Sequence, residues 1–382
     1  MPHGTWFLPV GLLAALLGVP CPAPACSLCM NLQQAQTMRQ EAANARLILY
    51  GRAANPRLNA GATGTTELHI DRALKNDPIV GDKKKVDLPR YLPVSDPKDP
   101  PRFLVFCDVF QNKLDPYRGV PVKSEAVVDY LKGALELDRS DPAKALLYFA
   151  RFLEHPDKEI ARDAFLEFAK ANDKEIGQVA GKLDPAKLRQ WLKDPQVPAE
   201  RLSLYAFLLG ACGGEQDAAL LRSMLREPTE RTLPAVDGVL AGYLQLRPQE
   251  GWDQVLGILR DEKKPFQLRF AVLRTVRFQY GWRPNEVRDK VLKGMQGLLP
   301  QGDIADLAIE DLRRWQLWDL TADVLAQYGK KSHDAPLMRR AIIRYALCCP
   351  KPEAAAFVKK LRQSDPELVK EVEEALRADR AP

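Results

Sequence analysis

The sequence predicts an exported two-domain protein, a small N-terminal β-barrel over residues 26–122 and then an α-solenoid over 123–382. Three observations carry this expectation. An apolar run opens the chain, the hydrophobic period changes from strand-like to helical near residue 122, and a small residue then opens an apolar helical run about every 35 positions.

The apolar run is Trp6 to Val19, WFLPVGLLAALLGV, 14 residues long. That is short for a bilayer span but suits the apolar core of a signal peptide. Ala23-Pro24-Ala25 supplies small residues for cleavage, so residues 1–25 read as signal and Cys26 as the first mature residue. The n-region carries no Lys or Arg, which runs against this reading. A lipid anchor at Cys21 or Cys26 is the weaker alternative, because neither cysteine has Leu three residues before it. No other stretch is long enough to span a membrane, so the mature protein is expected to be soluble, secreted or in the cell envelope.

With 382 residues, 46% hydrophobic and 28% charged, the chain has the composition of an ordinary globular protein. Its net charge of +6 is spread as +4 over 26–122 and +2 over the rest. Nucleic-acid binders concentrate basic residues on one face or tail, so no nucleic-acid partner is expected. The one basic run, Lys83-Lys84-Lys85, reads as a solvated loop or strand end.

From about residue 45 to 122 the segments RLILYGRAAN, TTELHIDRAL, KKVDLPRYLPV and RFLVFCDVF are short, rich in β-formers and bounded by Gly, Asn, Asp or Pro. Residues 31–45 read as a short helix before them. A turn at Asn112-Lys113 or Asp115-Pro116 would lead into a last strand near Val120 to Val122. Four or five strands without an intervening long helix imply a small antiparallel barrel or sandwich.

Together, the N-terminal cysteines followed by ARLILYGRA, TELHIDRALK and PRFLVFCDV resemble the netrin-like module, an OB-type barrel shared with the tissue inhibitors of metalloproteinases. In that family an N-terminal Cys-x-Cys is tied by disulfides into the barrel, and in the inhibitor branch the first cysteine chelates a protease zinc. Here the spacing is Cys-x-x-Cys, at Cys26 and Cys29. The resemblance implies a disulfide from Cys26 or Cys29 to Cys107, closing a loop of about 80 residues. The loop-entropy model gives such closure about 4.5 kcal/mol as a ceiling. A Cys26–Cys29 bond, or free thiols in redox or metal chemistry, are the alternatives. No strand precedes the pair as in a thioredoxin-like site, a fourth zinc ligand is missing, and Met30 stands where haem attachment needs His.

Beyond residue 123 the pattern is helical. Asp141-Pro142, Asp184-Pro185 and Asp365-Pro366 each set an N-cap acid before a proline at the first helical position. Pro198 to Cys212 reads as one helix stopped by Gly213-Gly214, and Glu215 to Leu225 as its partner. Small residues opening apolar runs recur at Ala164, Ser203, Gly238, Ala271, Ala308 and Ala341, in steps of 39, 35, 33, 37 and 33. Arg162, Arg201, Arg269 and Arg339 stand two residues before four of them, and a second anchor recurs as LEHP, LKDP, LREP and LRDE. This pattern over 125–380 is similar to HEAT-type repeats, helical pairs that stack because one pair cannot bury its apolar face alone.

Chemistry is sparse in the pattern. There is no Gly-rich phosphate loop, HExxH, GxSxG or EF-hand, and His69, His155 and His333 are far apart and read as surface or capping residues. No enzyme activity, cofactor or metal is therefore expected. Cys212 reads as a buried free thiol in an apolar helix, and of the adjacent Cys348 and Cys349, at the end of another helix, one thiol is expected to be buried. Arg274, Arg277, Trp282 and Arg283, with Arg313, Arg314, Trp315 and Trp318, form the candidate surface for a protein partner. The tryptophans either pack between repeats under arginine stems or serve as interface hot spots. The expectation is a non-enzymatic binding or scaffold protein. The alternatives are a thiol–disulfide oxidoreductase through Cys26 and Cys29, or a protease inhibitor through the mature N-terminus.

Overall fold

The computed structural model describes residues 35–59, 63–138 and 140–379. A short helix, α1 (Met38–Asn44), starts on a capping box in which Thr37 and Gln40 satisfy each other's backbone N–H groups. Five strands follow: β1 (Leu47–Leu58), β2 (Gly64–Lys75), β3 (Lys85–Leu88), β4 (Arg102–Phe110) and β5 (Lys113–Val122). They form one antiparallel sheet in the order β3-β2-β1-β4-β5.

The expected barrel does not close, because β3 and β5 both remain edges of the ladder. β3 is four residues long, and Pro116 and Pro121 remove two backbone donors from β5. Proline is tolerated at such an edge for the same reason that it cannot extend the ladder. The last hairpin turns at Gln111 and Asn112, whose φ of 48° and 58° place both in the left-handed region, so Phe110 pairs with Lys113. Asp115-Pro116 lies inside β5, where the register slips opposite Cys107.

The run Leu47-Ile48-Leu49-Tyr50 is buried throughout because the sheet is covered on both sides. Leu47 and Leu49 point into a small core with Leu68, Val105, Cys107, Leu88 and Val80. Ile48 and Tyr50 point the other way with Leu104, Phe106 and Val120, and join a core that continues into the helices. Alternation along a strand makes this division automatic.

The helices are α2 (Ala126–Leu135), α3 (Pro142–Ala150), α4 (Lys158–Lys170), α5 (Asp173–Ala180), α6 (Pro185–Lys193), α7 (Leu202–Cys212), α8 (Glu215–Arg226) and α9 (Val236–Leu246). They continue as α10 (Pro248–Arg260), α11 (Phe266–Trp282), α12 (Pro284–Leu298), α13 (Ala305–Arg314), α14 (Thr321–Leu325), α15 (Pro336–Cys348), α16 (Pro352–Ser364) and α17 (Pro366–Ala378). Seven of them begin on proline, at the first helical position where its missing N–H costs nothing. Asp141, Asp184 and Asp365 cap their helices as expected, accepting from the N–H groups of Lys144, Ala186 and Leu368. α7 ends before Gly213, and Gly214 donates to Asp217 in the capping box of α8.

The six recurrent small residues fall on α4, α7, α9, α11, α13 and α15, and all are buried. Their size matters most where α7 meets α9. A Cβ at Gly238 would lie 1.9 Å from the Ser203 carbonyl oxygen, and one at Gly242 would lie 2.2 Å from that of Ala206. Only glycine admits main chains that close.

The second anchor also has a physical cause. Carbonyls at a helix end or in the turn just past it lack a partner within the helix, and after α3, α6, α10 and α12 a side chain from further along the chain reaches back to them. Arg201 donates to Leu153 O at 2.7 Å, and Arg231 donates to the carbonyls of Leu192, Asp194 and Val197. Gln301 donates to Leu259 O at 2.7 Å. His333, buried rather than superficial, bonds Leu299 O at 2.8 Å through Nε2. Leu153, Leu192 and Leu259 are the leucines that open LEHP, LKDP and LRDE.

Candidate functional site

The structure divides the arginine–tryptophan set in two. Trp282 turns toward α5 and α7, 5.1 Å from the Phe207 ring, and fills space that only Gly177 leaves open. Arg283 lies 3.8 Å over its ring. Trp315 packs on Tyr280 at 4.3 Å and Trp318 on Tyr345 at 5.0 Å. All three tryptophans are half-buried between elements, as the packing reading expects. Five residues separate Arg277 from Trp282, about 140° around a helix, so the two cannot share a face.

The arginines line a different face, built from α9, α11, α13 and α15. Arg274 reaches Asp237 of α9 at 2.8 Å, and Arg277 reaches Asp311 of α13 at 2.6 Å. Glu310 holds Arg313 at 2.8 Å and Arg344 of α15 at 3.5 Å. Arg314 is exposed at the end of α13. Asp237 is fully buried and also accepts from Ser203 Oγ at 2.6 Å and Gly238 N at 2.7 Å. Burial pushes the carboxyls of Asp237 and Asp311 upward, and the arginines oppose it. Burial likewise raises Asp306, with Glu310 adding to the effect.

Around these pairs the face is apolar. Phe266 and Phe270 stack at 5.9 Å, and the guanidinium groups of Arg274 and Arg277 lie 5.7 and 5.9 Å from the Phe270 ring. Leu233 is 56% exposed, Phe266 38% and Leu337 65%. Leu337 and Arg344, seven residues apart, share one side of α15. The arrangement offers apolar contact beside cations already matched by internal carboxylates.

Sequence reasoning missed the buried acids. Asp163 and Asp237 each stand immediately before a recurrent small residue, Ala164 and Gly238, and an acid inside an apolar run was the available signal. Asp163 accepts from Met38 N and Tyr130 Oη, both at 2.7 Å, and burial pushes it up to about 6. Asp217 behaves oppositely. Burial would raise it, but the Arg189 fork and Gly214 N–H hold it below the usual range.

Cys26 and Cys29, with the signal segment, lie outside the described residues. Cys107 is fully buried and makes no disulfide among the described residues, and burial chiefly pushes its thiol up to about 12. Cys212 is half-buried, Cys349 is buried beside Thr321, and Cys348 is half-buried. His69 pairs with Glu67, and His155 Nδ1 accepts from Asp157 N. Among the described residues, no group of three or more His, Cys, Asp or Glu is arranged to hold a metal ion. Nor is any described helix long and apolar enough to cross a membrane. The chain matches no model of a known protein family, and no curated protein matches it.

Proposed function

We propose that this chain is an exported, non-enzymatic binding or scaffold protein that holds a protein partner on the face of α9, α11, α13 and α15. The observation that carries this is the exposure of Leu233, Phe266 and Leu337 beside arginines whose charges are already compensated. Such arginines contribute stem area and planar contact without bringing an unpaired charge into the interface. We read the helical part as a HEAT-like solenoid, supported by the small residues on every second helix from α7 to α15 and by the carbonyl-capping side chains. We read the sheet as an OB-type, netrin-like barrel opened between β3 and β5. A cavity of about 420 Å³ lined by residues of both strands supports that reading.

A photo-crosslinking residue at position 266 or 337, in the host, should trap one protein common to both. The same residue at exposed Lys359 on α16 should not trap it, and Phe270→Ser should abolish the adduct. Identical adducts from all three positions, or none, overturn the proposal. Hydrolase or thiol–disulfide turnover by the purified chain would replace it.

A further inference from the structure

At the other end of the helical part, α3 and its following turn meet the loop between α5 and α6 around a groove of about 200 Å³. Leu147, Ala150, Leu183, Leu188 and Trp191 line it. Trp191 packs against Tyr205 at 5.1 Å but stays half-exposed. Its indole N–H makes no hydrogen bond within the described residues.

The rim is cationic. Arg151, Lys182 and Lys187 all line the groove and are exposed, and none is ion-paired among the described residues. The single carboxylate there, Asp184, is committed to the N-cap of α6 through Ala186 N at 2.9 Å. Arg151 is held over Tyr148 and Phe152 at 5.9 and 5.6 Å, so its stem and ring stacking orient it while its charge stays unmatched. This is the reverse of the α11 face, where internal acids neutralise the arginines.

We propose that this groove docks an acidic peptide segment of a partner by taking one bulky apolar side chain. Three cations without an ion-pair partner, set against the one carboxylate of Asp184, leave a net positive rim around an apolar floor and call for an anionic ligand with an apolar anchor. Small-molecule sites run to about 300–1,000 Å³, so this volume suits a single large side chain better than a whole ligand. Half-exposed tryptophan beside arginine is also the composition of an interface hot spot. The site is separate from the α11–α15 face and stands whether or not that face binds.

The probe is a fluorescein-labelled octapeptide of aspartates and glutamates around one central phenylalanine, followed by anisotropy with the full chain. Saturable binding is expected with Kd below about 100 μM, weakening as salt rises. Replacing the phenylalanine by serine should weaken it about tenfold or more, and so should Trp191→Ala. Because Trp191 also packs internally, the charge reversal K182E/K187E, at two exposed positions, tests the site without disturbing the core and should give a similar loss. No saturation by about 1 mM, equal binding of the serine peptide, or indifference to K182E/K187E overturns the proposal. Displacement of the peptide by equimolar decanoate would reassign the groove to a free carboxylate amphiphile and also overturns it.

Discussion

The sheet and the helices are secured at different ranges along the chain. The N-terminal part, α1 with the sheet, is tied across long stretches of sequence: in α1, Met38 N meets Asp163 and Arg39 meets Glu167 at 2.7 Å, and from β2, Arg72 meets Glu125 at 2.6 Å. Apart from the contact of Trp282 with Gly177 of α5, helix α11 and those after it are tied to near successors, as Arg277 to Asp311 and His333 to Leu299. A strand covered on both sides needs its cover in place before it is stable. A helix tied to its near successors needs less of the chain in place. The lesson is that the smaller part is the more dependent one.

The strongest way to break this comparison is to separate the parts. Residues 35–122 expressed alone would expose Ile48, Tyr50, Leu104, Phe106 and Val120, all now at most 2% exposed. At about 1.5–3 kcal/mol each, that loss matches the whole stability of a domain. The fragment should lack dispersed amide resonances, whereas removal of α16 and α17 should leave the sheet's spectrum intact. A well-folded fragment would reverse the comparison.

Next comes Arg277→Met, which strands the buried Asp311 without its cation and should cost about 3–5 kcal/mol. Hydrogen exchange should rise in α11 to α15 while β1 and β4 stay protected. Adding Asp311→Leu should restore most of the loss, visible in the urea midpoint.

A smaller effect sharpens the long-range side. Asp163 titrates near 6 in the folded chain, above an ordinary carboxylate. Between about pH 4 and 6 the folded state therefore holds a proton that the unfolded state has released, so this group's contribution falls as pH rises through that window. The change is about 3 kcal/mol over the window. Asp163→Asn should flatten this part of a pH series of urea midpoints. Last, His333→Leu leaves Leu299 O without its buried donor and should cost about 1–3 kcal/mol, confined to α12 through α15 in exchange.

Much of this architecture is legible in the chain. Runs of β-formers locate β1 to β4 and the end of β5, Asp-Pro pairs locate three helix starts, and the spacing of Ala164 through Ala341 finds α4 and then every second helix from α7 to α15. These signals are local or periodic, which is why they survive in one sequence. The open barrel was hidden because closure depends on which edge donors survive, and Pro116 looked like a turn residue rather than part of an edge strand. The split of the arginine–tryptophan set was hidden because nearness in sequence was read as nearness in space. The groove around Trp191 was hidden for a simpler reason. Its walls come from Leu147 to Leu153 and Lys182 to Trp191, which only packing brings together.

The carbonyl-capping side chains also bear on how such a chain can change over generations. The acceptor is main chain, present whatever residue occupies the position, while the donors are arginine at 201 and 231, glutamine at 301 and histidine at 333. What matters is therefore reach and a free N–H, not residue identity. On the solenoid reading proposed above, a unit copied or deleted as a block would carry one donor and one carbonyl with it, and the new neighbours would find a partner at the seam. Length can then drift by whole units while each joint stays closed.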